Sequence, residues 1–141
     1  MDDLSAAVLA ANATFYTALS MADYGLMERL WLAVPEAVCI HPGWPPLHGW
    51  EAISQSWREI FHSQGPLRIW PSELALRLYG QTAEVNCLEN IDMNQVRAAG
   101  ILQTRATNIF RLVTGAWKML EHHATSVPGG DARPLSPFST N

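Results

Sequence analysis

The 141 residues carry nine Lys plus Arg against 13 Asp plus Glu, a formal charge of −4, and 48% of the side chains are hydrophobic while 16% are charged. This is enough apolar material for one domain around a single core, and the scattered cations disfavour nucleic acid and anionic membranes as partners. The N-terminal Met1-Asp2-Asp3 lacks a basic segment followed by a long apolar run, so no secretory signal or transmembrane helix is expected, and the expected location is cytoplasmic.

In chain order, Leu4, Val8, Ala11, Phe15, Ala18 and Ala22 recur at helical spacing behind Asp2 or Asp3 as N-cap, which predicts a first amphipathic helix. Asp23 is placed to cap a short second helix carrying Leu26, Met27, Leu30 and Trp31, ending before Pro35. A strand is expected over residues 34–41. It leads into His41-Pro42-Gly43-Trp44-Pro45-Pro46-Leu47-His48-Gly49-Trp50, where the prolines fix φ and hold His41 and Trp44 as the wall of a pocket. A third helix follows, with Ile53, Trp57, Ile60 and Phe61 on one face and Gly65-Pro66 as its stop.

Beyond Pro66 the period changes to alternation, and strands are expected over 67–79, 82–93, 100–113 and 116–125, with turns at Gly80-Gln81 and Thr114-Gly115. The fold class is therefore α+β, three helices followed by a curved antiparallel meander, with the domain over 1–125 and a flexible Pro/Gly/Ser-rich tail over 126–141. Cys39 and Cys87 each lie inside an apolar alternating run and read as buried thiols.

Strand phase then selects the inward polar groups, because successive side chains point to opposite faces. Ala83, Val85, Cys87 and Ile91 carry Glu89 inward with them, and Phe110 carries Asn108. Lys118 outward puts Trp117, Met119, Glu121 and His123 inside, unless a bulge reverses the strand end and presents His122 instead. Candidate catalytic residues are His41, Glu89, Asn108 and His123. Candidate ligand contacts are Phe15, Trp44, Trp57, Cys87, Phe110 and Trp117. Two readings stand side by side: a proton-carrying floor in an apolar pocket, or a satisfied polar network in which Glu89 pairs with a histidine or Arg105. The histidines have no chelating spacing, and no metal or cofactor is expected.

With those elements placed, the run His41 to Ile53, the strand Ala106-Thr107-Asn108-Ile109-Phe110 and the Gly115-Ala116-Trp117 segment resemble the SnoaL-like branch of the nuclear-transport-factor-2-like superfamily, which includes the ketosteroid isomerases. The resemblance covers roughly residues 5 to 125. It implies a cone-shaped sheet wrapped around three N-terminal helices, an internal cavity, and a homodimer through the outer sheet face, where Leu88, Ile109, Val113 and Leu120 would lie. Members include isomerases, polyketide cyclases, dehydratases and hydrolases as well as non-catalytic binding domains. The position of the isomerase general base is similar to His41 and that of its oxyanion-hole acid to Asn108. The oxyanion-hole tyrosine falls near Phe15, with Tyr16 facing differently, so a phenol donor is expected to be missing. The resemblance therefore implies a small apolar or aromatic ligand and cofactor-free acid/base chemistry of isomerase, cyclase or dehydratase type. The alternative is a non-catalytic dimerisation or ligand-sensing domain.

Overall fold

Asp2 starts the first helix by accepting the Ser5 amide at 2.7 Å, and α1 runs Asp3–Met21. It ends where Ala22 turns left-handed (φ 52°) and returns its N–H to the carbonyls of Ala18 and Leu19. Asp23 at once caps α2, Tyr24–Leu30, by accepting the Leu26 amide at 3.0 Å. The structure is a computed structural model that describes residues 2–94 and 100–127. All but the first two positions of the expected 126–141 tail lie outside the described residues. By length and composition α1 passes as a helix that could cross a bilayer, as core helices also do; here it lies against the sheet with Val8, Phe15 and Ala18 fully buried.

The remaining elements are β1 (Val38–Ile40), β2 (Leu47–His48), α3 (Trp50–Gln64), β3 (Ile69–Tyr79), β4 (Thr82–Asp92), β5 (Ile101–Val113) and β6 (Ala116–Ser126). They form one six-stranded sheet in the order β2-β1-β6-β5-β4-β3. The four long strands are an antiparallel meander, as their alternation predicts. The short β1 joins it in parallel to β6, and this pairing fastens the His41–Trp50 loop to the sheet. Hairpins turn at Gly80 and at Thr114-Gly115, all three at positive φ.

Two irregularities shape the inner face. In β3 the register slips between Ser72 and Ala75, with Glu73 left-handed at φ 53°, and Leu74 is turned out to 49% exposure. In β6, Phe110 pairs Met119 while Ile109 pairs Glu121, so Leu120 is the inserted residue. Past it the alternation is inverted: His122 and Ala124 are buried, whereas Glu121 and His123 are half-exposed. The helices and the inner sheet face enclose one core built on Phe15, Met27, Ile53, Trp57, Val85, Phe110 and Met119.

Candidate functional site

Four elements send one polar side chain each to the same buried place: Tyr16 from α1, Glu89 from β4, Asn108 from β5 and His122 from β6, none more than 4% exposed. The Tyr16 hydroxyl donates to Glu89 Oε2 at 2.7 Å and the Thr104 hydroxyl to Glu89 Oε1 at 2.6 Å. Asn108 Nδ2 donates to Tyr16 Oη at 3.1 Å and to Asn12 Oδ1 at 2.9 Å, while Asn108 Oδ1 lies 2.6 Å from His122 Nδ1. Cys87 Sγ is 3.3 Å from the same phenolic oxygen, and His122 Nε2 stands 3.9 Å from Glu89 Oε2.

The hydrogens in this cluster can be traced. Tyr16 gives its single proton to Glu89, so its oxygen accepts from Asn108 and from the Cys87 thiol, which burial holds in the S–H form with a pKa pushed up to about 11. An amide oxygen only accepts, so His122 Nδ1 must carry hydrogen and Nε2 is left with its lone pair. Burial drives His122 well below the ordinary imidazole value, and the nearby His41 and His123 imidazoles disfavour a further positive charge in the same direction. Burial also raises Glu89, against the opposing pull of the Thr104 and Tyr16 hydroxyls. Both groups are thereby pushed toward their neutral forms. With each carboxyl oxygen already accepting a hydroxyl, the carboxyl proton of Glu89 has His122 Nε2 as its facing acceptor. At 3.9 Å the two are too far apart for a direct hydrogen bond and close enough for a single atom to bridge. An acid and a base thus stand side by side, their affinities for a proton set by one desolvated environment.

His41 belongs to a second cluster. Its Nε2 lies 2.9 Å from Ser56 Oγ, whose own hydrogen goes to the Ile53 carbonyl at 2.6 Å, so the imidazole is the donor. Its ring meets Trp44 and Trp57 edge-on at 4.8 and 4.6 Å, and Cys39 Sγ is 3.9 Å from Nδ1. Burial lowers its pKa to about 3. At neutral pH this is an uncharged imidazole, and no carboxyl group is among its contacts in the described residues. Trp57 stands between the two clusters, 4.6 Å from the His41 ring and 6.2 Å from that of His122, and its indole N–H is buried with no hydrogen-bond partner among the described residues.

The structure therefore sorts the sequence-based candidates. Glu89, Asn108 and Cys87 meet in the first cluster, walled by Phe15, whose ring is 4.7 Å from His122. His41, Trp44 and Trp57 form the second, while Phe110 and Trp117 are core side chains. His123 does not face inward: the Leu120 insertion turns it out, where it holds Glu121 at 2.8 Å, and His122 takes its place. The expected loss of a phenol donor is also corrected, because Tyr16 rather than Phe15 reaches the Asn108 position. Asn12 and Thr104 were missed. Asn12 lies one helical turn before Tyr16, and Thr104 two and four residues before Ala106 and Asn108 on the same strand face, so periodicity alone could have found both.

Two hollows flank the first cluster. A groove of about 330 Å3 between α1 and β3 is lined by Ala13, Tyr16, Thr17, Ser20, Met21, Ile69, Trp70 and Pro71, so Tyr16 is shared between groove and network. On the outer sheet face a second hollow of about 330 Å3, lined among others by Glu73, Arg105, Thr107 and His123, reaches Cys87. Among the described residues no group of three or more His, Cys, Asp or Glu is arranged to hold a metal ion. Of the outward apolar residues, Leu88 and Leu120 are 5% and 6% exposed within the single chain.

Sheet order and helix placement are those of an NTF2-like α+β domain. The chain belongs to the SnoaL-like domain family, which matches residues 8–129. A candidate dehydratase of the NTF2-like family from Streptomyces avermitilis is 32% identical, with a TM-score of 0.78 over 86% of this chain and 94% of that one. A candidate calcium/calmodulin-dependent protein kinase type II association domain from Thiobacillus denitrificans is 25% identical, with a TM-score of 0.77 over 84% and 93%. The F-box protein SKIP8 of Arabidopsis thaliana is 26% identical over 124 residues, 84% of this chain and 49% of that protein, so the chain spans about half the length of this curated relative.

Proposed function

We propose that this chain binds a small apolar molecule bearing a carbonyl and a hydroxyl group, and moves a proton on it without a cofactor, in the manner of a dehydratase or isomerase. The observation that carries the reading is the Glu89 carboxyl, its pKa raised by burial, facing His122 Nε2 at 3.9 Å, with the Tyr16 phenol 2.7 Å from the same carboxyl. Elimination of water from a β-hydroxy carbonyl compound needs these two parts: a neutral base for the hydrogen beside the carbonyl and an acid for the departing hydroxyl. His122 supplies the first and Glu89 the second. Tyr16, which lines the groove, is the donor that would turn from Glu89 to a developing enolate oxygen. The α1–β3 groove, which Tyr16 helps to line, supplies apolar walls from Met21, Ile69, Trp70 and Pro71. The 32% identical candidate dehydratase supports this class of reaction.

A second reading has its own observation. Both oxygens of Glu89 and both polar atoms of Asn108 already have protein partners, as in a non-catalytic ligand-sensing domain whose polar groups order the interior. A panel of cyclic and aromatic β-hydroxy ketones, followed by the absorbance of the conjugated product, separates the two. Turnover that falls by about 10²–10⁴ in Glu89→Gln supports proton transfer. Saturable binding without turnover in the native protein, unchanged in Glu89→Gln, establishes the sensing reading.

A further inference from the structure

We propose that Asn12 is a positioning residue: by accepting from Asn108 Nδ2 it fixes the direction of the Asn108 amide, which holds His122 as the Nδ1–H tautomer and aims the Nε2 lone pair at Glu89. The inference rests on the reading of His122 as a base only in what the lone pair is for; the tautomer itself is a property of the resting protein.

The argument is one of donors and acceptors. The Asn108 amine faces two oxygens, Asn12 Oδ1 at 2.9 Å and Tyr16 Oη at 3.1 Å, and the phenol has spent its proton on Glu89. Turning the amide over in the native protein would set Asn108 Oδ1 against Asn12 Oδ1, and with Asn12 turned as well one Asn108 N–H would still lack an acceptor, because among the described residues that side offers His122 Nδ1 alone. Asn12 is 1% exposed and Asn108 fully buried, so such a mismatch is not relieved by bulk water. The amide therefore presents its oxygen to His122, 2.6 Å away, and only an N–H can meet it there. An asparagine in the middle of a helix is a poor helix former, and its place here follows from this contact rather than from α1 itself.

Removing the Asn12 oxygen changes the balance. With Asn12→Leu one N–H of Asn108 is orphaned in the core. A half-turn of the amide now leaves no more groups unpaired than the native direction does: the amine donates one N–H to His122 Nδ1 and leaves the other unpaired, while Tyr16 turns its O–H to Asn108 Oδ1 and a protonated Glu89 donates to the phenolic oxygen. In that direction His122 is Nε2–H, with no lone pair toward Glu89, so the preference for Nδ1–H is lost. Asn12→Asp keeps an acceptor at the same place and preserves the native arrangement.

The test is the 15N–1H long-range spectrum of the imidazoles at pH 7.5, with His122 assigned by His122→Asn and no ligand added. The native protein and Asn12→Asp are expected to show the Nδ1–H pattern, and Asn12→Leu a mixture in which the Nε2–H pattern is present. Should Asn12→Leu not fold, Asn12→Met deletes the same acceptor with a chain that adapts to an irregular site. An Nε2–H pattern in the native protein, or an unchanged Nδ1–H pattern in a folded Leu or Met variant, overturns the proposal. Absence of turnover on every β-hydroxy ketone would remove the catalytic reading and leave the tautomer result standing.

Discussion

Two buried histidines lie on either side of Trp57, and they differ in company rather than in burial. His41 and His122 are each 2% exposed, but His41 has a serine and a thiol beside it, while His122 has an amide on one nitrogen and a carboxyl facing the other. Desolvation alone makes an imidazole neutral and inert, as at His41, where the pKa falls to about 3. A second ionisable group desolvated by the same core turns it into half of a proton-exchange pair. Residue type and burial would have ranked the two histidines equally; the position of Glu89 separates them.

Replacing parts of each cluster sharpens the contrast, and the largest effect is expected at Glu89. Glu89→Ala strands the Tyr16 and Thr104 hydroxyls in the core and should cost about 3–5 kcal/mol in urea unfolding, whereas Glu89→Gln should cost about half of that. On the other side of Trp57, His41→Gln should keep any turnover within about threefold of native while Glu89→Gln lowers it by about 10²–10⁴; equal losses in both would erase the distinction.

The pH dependence follows from the same groups. Below pH 6.5 the unfolded chain protonates histidines that the folded protein keeps neutral, so stability falls with pH by about 1.4 kcal/mol per unit for each of His41 and His122. For His41 this continues to about pH 3. Glu89 acts in the opposite sense. From 4.5 up to its raised value the folded carboxyl keeps a proton the unfolded one releases, so its contribution improves as pH falls. Melts between pH 7.5 and 5 should therefore lose stability, with His41→Gln flattening the slope and Glu89→Gln steepening it. The smallest effect is expected from the outward pair: His123→Gln should change stability by less than about 0.5 kcal/mol, because His123 and Glu121 meet in solvent.

The long elements were legible because each burial pattern is local: Asp2 and Asp23 cap as their positions predict, and Glu89 and Asn108 face inward with their apolar neighbours. What escaped was decided by contacts distant in sequence or by broken register. Tyr16 had been set aside on helical phase, yet a phenol on α1 is long enough to reach β4 and β5. His123 was placed by an alternation that Leu120 interrupts, and the inversion had been foreseen only as the consequence of a bulge that the sequence does not mark. The strand expected over 34–41 shrank to Val38–Ile40, the stretch that pairs with Glu121–His123 of β6 on one side and with β2 on the other.

Leu120 bears on how this protein can be compared with its relatives. Two adjacent imidazoles compete for one interior position, and a single backbone unit upstream decides between them. Deleting Leu120 would exchange the sequestered ring for the solvent-facing one while both histidines stayed in the chain. A column-by-column comparison that matches His122 with His122 and ignores the spacing to Met119 would then equate a buried ring with a surface one. In this strand, counting residues carries as much chemical information as naming them.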